Sequence, residues 1–196
     1  MLLRFSLRHK PMPELPEVEV SRLGLQTHLE GRVLTAVIAR RDRLRLPIPA
    51  DLHERLTGHA LAALHRRGKY LLLHWPTAGG WLIVHLGMSG SLRLVSPQTP
   101  VQTHDHFDLV FSDTAMRLRD PRRFGLVAWQ AGETAEDHPL LARLGMEPLS
   151  AAFTGEWLTA QAKGRRQPIK TLLMDAHVLV GVGNIYAAES LFRAGI

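Results

Sequence analysis

Residues 70–95 read YLLLHWPTAGGWLIVHLGMSGSLRLV, and their punctuation decides the fold. Three short apolar runs, YLLLHW, WLIVHL and SLRLV, are cut apart by Pro, Gly and Ser, which is the pattern of strands joined by turns. The same text extends both ways. VLTAVIAR (33–40) and ALAALHR (60–66) lie upstream, and FDLVF (107–111), AMRLR (115–119) and LVAW (126–129) downstream. Runs of this length and spacing predict a two-sheet β-sandwich or barrel.

The flanks read differently. Glu17–Leu29 has helical periodicity, with Val18, Leu25 and Leu29 on one stripe, Pro16 in the first turn and Gly31 as a stop. After Pro139 the strand pattern ends, and PLLARLG, SAAFTGEWLTAQAK, IKTLLMDAHV and IYAAESLFRAG carry helical periodicity. The predicted class is therefore α+β: an N-terminal helix and two-sheet sandwich over 12–135, then a helical region over 136–196, with the boundary near 131–139.

Composition narrows the partners. Lys+Arg 24 against Asp+Glu 18 gives +6, and most of the cations are arginine, whose planar fork suits phosphate oxygens. They cluster as Arg40-Arg41-Arg43-Arg45, Arg66-Arg67-Lys69, Arg117-Arg119-Arg122-Arg123 and Lys163-Arg165-Arg166-Lys170, a spread that favours a nucleic acid over merely solvated faces. With no cysteine there is no disulfide, thiol nucleophile or cysteine-held zinc. His104-x-His106 is the tightest histidine pair and lacks a third ligand in any metal motif, so no metal site is expected. No apolar run approaches the roughly 18 residues that span a bilayer, and a soluble chain is expected.

Two stretches carry chemistry. In LVGVGN, Gly181 and Gly183 allow a sharp turn and Asn184 is placed to cap the next helix, whose N-terminus is a seat for phosphate; the plainer alternative is a simple helix hairpin. MPELPEVEV (12–20) puts Pro13 directly after a methionine. Removal of that methionine would expose a secondary amine able to attack a sugar C1′ carbon and form an iminium. Glu14 and Glu17 would then supply an acid and a positioning carboxylate. Read alone, however, Pro and Glu here are an ordinary first helical turn.

The order of motifs tips the balance. MPELPEVEV, GKYLLLHW, WLIVHLGMSGSLR, THDHFDLVF, RDPRRFG and LLMDAHVLVGVGNIYAAESLF resemble the bacterial formamidopyrimidine-DNA glycosylase family over Met12–Ile196, and PELPE is closer to this family than to its endonuclease VIII relatives. The resemblance implies a base-excision repair enzyme that excises oxidised purines (8-oxoguanine, formamidopyrimidines) and cleaves the abasic product by β-elimination. It assigns Pro13 as nucleophile, Glu14 as the acid at the opening deoxyribose and Lys69 to phosphate contact and proton transfer. Met88, Arg122 and Phe124 would fill the gap left by an extruded nucleotide, an arrangement that recovers part of the stacking lost on flipping. His104, Arg122, Arg165 and Asn184 would bind the phosphate backbone, and the glycine turn would belong to a helix-two-turns-helix. The implied partner is damaged double-stranded DNA, met by a monomer in the bacterial cytoplasm at the nucleoid, with no membrane contact.

Two departures accompany the resemblance. The family's zinc finger, four cysteines on a β-hairpin, is absent, so no cofactor is expected in this chain and weak DNA binding with poor lesion discrimination is. Residues 1–11, MLLRFSLRHKP, form an extension too short for a secretory signal and poor as a transit peptide; a misassigned start is the expectation, because an acylated Pro13 has no nucleophilic amine. The rival expectation is a catalytically inactive DNA-binding remnant, and a third an RNA binder using the helix-two-turns-helix alone.

Overall fold

Each apolar run becomes one strand: β1 Ala36–Ala39, β2 Ala63–Arg67, β3 Tyr70–Trp75, β4 Gly80–His85, β5 Ser91–Val95, β6 Asp105–Phe111, β7 Thr114–Arg119 and β8 Leu126–Ala131. The computed structural model describes residues 12–196, so the expected 1–11 extension lies outside the described residues. The strands form two antiparallel four-stranded sheets, ordered β1-β6-β7-β5 and β2-β3-β4-β8. Helix α1, Leu15–Leu29, packs across β2 and β3.

The continuous run in β3 has a physical reason. Leu71, Leu73 and Trp75 point into the core between the sheets, with Leu82, Val84, Phe107, Leu109, Met116 and the α1 residues Val18, Leu25 and Leu29. Leu72 points the other way and joins Ile83, Leu126, Ala128, Ala135 and Leu141. Both faces of the second sheet are thus covered, and alternation disappears from its strands. Each buried leucine removes enough apolar surface to stabilise the fold by about 1.5–3 kcal/mol before entropy is counted.

Beyond β8 come a 3-10 turn at Ala135–Asp137, then α3 (Gly155–Ala162), α4 (Ile169–Met174) and α5 (Asn184–Arg193). The short helix α2, Leu52–Leu56, follows β1. No described helix is long and apolar enough to cross a membrane.

Three helical expectations need correction. PLLARLG forms turns rather than a helix. Leu141 is instead drawn to the sheet, and Met146 forms a parallel bridge with Leu179. The helix expected through Val178 stops at Met174, because the Asp175 carboxylate accepts the His177 N–H at 2.9 Å and turns the chain. Asn184 does not cap α5 either; it is the first helical residue, and Gly183 is the cap.

Candidate active site

The capping anion of α5 comes from the far end of the chain. Glu14, fully buried at 0% exposure, accepts the N–H groups of Gly183 (2.8 Å) and Tyr186 (3.2 Å) on Oε2 and that of Ile185 (2.8 Å) on Oε1. The sequence pointed to an anion at this helix N-terminus, and the anion is a carboxylate of the chain itself, drawn by unpaired N–H groups and the helix dipole. Gly183 must be glycine for this reason: a Cβ there would lie 2.4 Å from Glu14 Cδ. Next to it, the Leu15 N–H donates to Gly181 O at 3.0 Å, and Gly181 has φ +80 with Leu15 against it. The start of α1 is thereby docked on the glycine turn.

Lys69 reaches the same place from the β2–β3 hairpin. Its Nζ donates to Val182 O at 3.2 Å. Burial lowers its pKa, while the nearby Glu14 and Glu17 carboxylates oppose that shift. Gly68 turns the hairpin at φ +55 with Val180 against it. Glu147 clamps this hairpin to the helical region, accepting the Gly68 N–H at 2.6 Å, Arg66 at 2.9 Å and Arg67 at 3.0 Å. These bonds hold its pKa below the usual carboxylate range against the opposing cost of burial.

Pro13 is buried and lines a pocket of about 320 Å³ with Pro16, Glu17, Leu86 and Gly90. That volume is at the small end for ligand sites, ~300–1,000 Å³. Glu17 also accepts the Glu14 N–H at 3.0 Å, which fixes the first turn of α1. The opposite wall, Leu86 to Gly90, is the β4–β5 loop that carries Met88, 37% exposed.

Against this loop lies the β7–β8 turn. Its Phe124 is 42% exposed, and the Arg122 guanidinium sits over the Phe124 ring at 4.7 Å from the centroid. Both tips face solvent, whereas core residues of these types would not. Behind them His85 accepts the Gly87 N–H on Nδ1 at 2.9 Å and stands 4.7 Å from the Tyr70 ring. Burial, with Arg45 and Lys69 nearby, pushes its pKa down to about 4, so it is neutral near pH 7.

Cations gather on this side. Arg41, Arg43 and Arg45 share a cleft with Arg122, Arg123 and Phe124. His104, exposed with φ 76, is tied to the turn by its carbonyl, which accepts the Asp120 N–H at 3.0 Å. Asn184 is exposed at the α5 start, beside the Glu14 anchor. Arg165 is held elsewhere, exposed in the turn between α3 and α4.

The structure therefore brings Pro13, Glu14, Glu17 and Lys69 to one junction; Met88 stands on the loop whose ends wall the Pro13 pocket, Arg122 and Phe124 on the turn packed against that loop, and His104 is bonded to that turn through Asp120. Sequence reasoning passed over Glu147 and Asp120. The second had a signal in Asp-Pro, a turn-forming pair; Glu147, in an unremarkable GMEP, had none. Among the described residues no three His, Asp or Glu side chains gather as a metal site would require. The zinc the resemblance implies needs cysteines, and the 196 residues contain none, so the residues present do not fit it.

Comparison with known proteins gives the same direction. Residues 12–127 match the model of the formamidopyrimidine-DNA glycosylase N-terminal domain, and 144–196 that of the formamidopyrimidine-DNA glycosylase H2TH domain. Formamidopyrimidine-DNA glycosylases of Aromatoleum aromaticum and Thiobacillus denitrificans are each 59% identical, over 94% of this chain and 67% of theirs. Among solved structures, Lactococcus lactis Fpg with abasic-site DNA superposes with TM-score 0.84 at 30% identity, over 93% of this chain and 67% of that one. MutM with DNA containing carbocyclic 8-oxo-G gives 0.85 at 31%, over 94% and 68%.

Proposed function

The chain belongs to the formamidopyrimidine-DNA glycosylase family, and from that premise we propose how its residues act on damaged DNA. It is a DNA glycosylase of base-excision repair. In the proposed reaction a damaged purine nucleotide is extruded from the duplex towards the Pro13 pocket. The Pro13 nitrogen, freed of its acyl partner, attacks C1′ and forms a C–N bond. The glycosidic bond breaks, and the base leaves with its electron pair and takes up a proton. The C1′–O4′ bond then opens, O4′ is protonated, and an iminium remains on Pro13.

Glu14 serves ring opening beside that nitrogen, and Glu17, which shares the Pro13 pocket, positions the amine and takes its proton. Lys69, at the glycine turn beside Glu14 and with its pKa lowered by burial, moves protons as C2′ loses a proton and the 3′ phosphate leaves. Met88, Arg122 and Phe124 occupy the space vacated in the stack. His104, Asn184, Arg165 and Arg122 hold phosphates, which sets position and salt sensitivity rather than base choice. No step requires a cofactor. The chain acts as a monomer on double-stranded DNA carrying oxidised purines, 8-oxoguanine and formamidopyrimidines, in the bacterial cytoplasm.

One observation supports this reading above the rest: α1, the β2–β3 hairpin and the glycine turn converge so that Pro13 and Glu17 line one pocket while Lys69 and Glu14 meet the glycine turn beside it. Borohydride trapping on abasic duplex DNA tests it, with a chain that begins at Pro13 compared with one that retains residues 1–12. A covalent adduct is expected from the first alone. Adduct from neither would leave the inactive DNA-binding reading, for which the arginine cleft suffices, and equal adduct from both would remove Pro13 as nucleophile.

A further inference from the structure

The loop bearing Met88 and the turn bearing Arg122 and Phe124 belong to different β-connections, yet one buried side chain joins them. Asp120, at 0% exposure, accepts the Ser89 hydroxyl on Oδ1 at 2.6 Å and the Gly125 N–H on Oδ2 at 2.7 Å. Ser89 Oγ in turn accepts the Arg122 N–H at 3.1 Å. The same residue's backbone ties in the third element: its N–H donates to His104 O at 3.0 Å, and its carbonyl accepts the Arg123 N–H at 3.2 Å and bonds His106 Nε2 at 3.0 Å. The two loops touch through backbone. A Cβ at Gly87 would lie 2.4 Å from the Phe124 carbonyl carbon and 2.5 Å from Gly125 N. Arg123 is held at φ 58, a conformation that persists in a non-glycine residue only where its surroundings fix it.

Resting on the function proposed above, we infer that Asp120, acting through Ser89, is a positioning residue for damage recognition. It sets the spacing of Met88 from Arg122 and Phe124 and their offset from His104 before DNA arrives. A wedge assembled in advance pays no ordering cost when it enters the stack; one that must assemble on the DNA does. The chemistry of the joint explains why it is specific. Asp120 accepts on both oxygens, and the Ser89 hydroxyl both donates and accepts, so an isosteric amide at 120 sets N–H against N–H or breaks the relay through Ser89.

The test uses the full 196-residue chain and equilibrium binding, which requires no free Pro13 amine. Fluorescence anisotropy compares a duplex carrying a tetrahydrofuran abasic analogue with the same duplex undamaged, and a 2-aminopurine beside the analogue reports unstacking. Asp120→Asn is expected to reduce the preference for the analogue on the order of tenfold and to lower the 2-aminopurine response, with a smaller loss on the undamaged duplex. Ser89→Ala should shift both readouts in the same direction by less, and Ser89→Thr, which restores the hydroxyl, should recover them. A preference intact in both variants overturns the inference, as does an equal loss on both duplexes, which is the mark of a merely structural role. If Asp120→Asn does not fold, Ser89→Ala and Ser89→Thr decide on the same criteria. No preference for the analogue in the unaltered chain would overturn the functional reading first, and this inference with it.

Discussion

Replacing Glu14 by Gln should cost the protein stability before it costs any chemistry. The wild-type carboxylate is fully buried and takes three backbone N–H groups at the α5 start. Glutamine offers one carbonyl oxygen and an NH2 group, so at least one helix N–H then faces a donor. A charge-assisted hydrogen bond is worth roughly 1.5–3 kcal/mol, and a buried donor left unpaired adds to that, which gives about 2–4 kcal/mol. For a chain of this size that corresponds to a Tm lower by about 5–15 °C in a thermal melt followed by circular dichroism. Gly183→Ala should act through the same joint, since its Cβ would displace the Glu14 carboxylate. The double variant should therefore fall short of the sum of the two. Glu17→Gln, whose amide oxygen can still accept the Glu14 N–H, is the control and should cost less than about 1 kcal/mol. A Glu14→Gln melt within about 2 °C of the parent, or strict additivity with Gly183→Ala, would show that the Glu14 carboxylate does not hold the α5 start.

The partly buried His85 makes stability depend on pH. Its folded pKa lies at about 4 against an ordinary 6.5, so between those values the unfolded chain binds the extra proton and stability falls as pH falls, by up to roughly 3 kcal/mol. Urea titrations across that window should show this slope, and His85→Gln should flatten it; an unchanged slope would contradict the assignment. Asp108 pairs in the interior with Arg117, itself 2% exposed, and also with Arg40. Asp108→Asn should destabilise by about 1.5–3 kcal/mol in the same titration, because Arg117 loses its hydrogen-bonded carboxylate and keeps as ion partner only Asp105 at 3.7 Å. The arginine cleft predicts salt-sensitive DNA binding: Arg41, Arg43 and Arg45 replaced together by Gln should reduce the slope of log K against log salt by about 2–3.

The strands were legible because apolar runs and turn residues are local signals, and every run from VLTAVIAR to LVAW found a strand. The residues of the expected chemistry were legible only in combination, since MPELPEVEV alone reads as a helix start. What escaped was long-range. Glu14 capping a helix some 170 positions away leaves no trace in either segment's periodicity, and the glycine turn looked like a phosphate seat because its donors were visible and their acceptor was not. Glu147 and Asp120 each take a backbone N–H, which every residue carries, together with side-chain donors tens of positions away, so the partners do not mark themselves in sequence. Helix ends failed for a related reason: Asp175 and Leu141 were settled by a side-chain bond and by packing rather than by propensity.

Everything proposed for this site depends on the Pro13 nitrogen forming the bond to C1′. Its most direct test is to reduce the complex with abasic DNA by borohydride, digest it, and locate the sugar remnant on the peptides by mass spectrometry. The added mass is expected on a peptide that begins at Pro13, at its nitrogen. The same mass on the Lys69 ammonium side chain, with the Pro13 peptide unmodified, would contradict it.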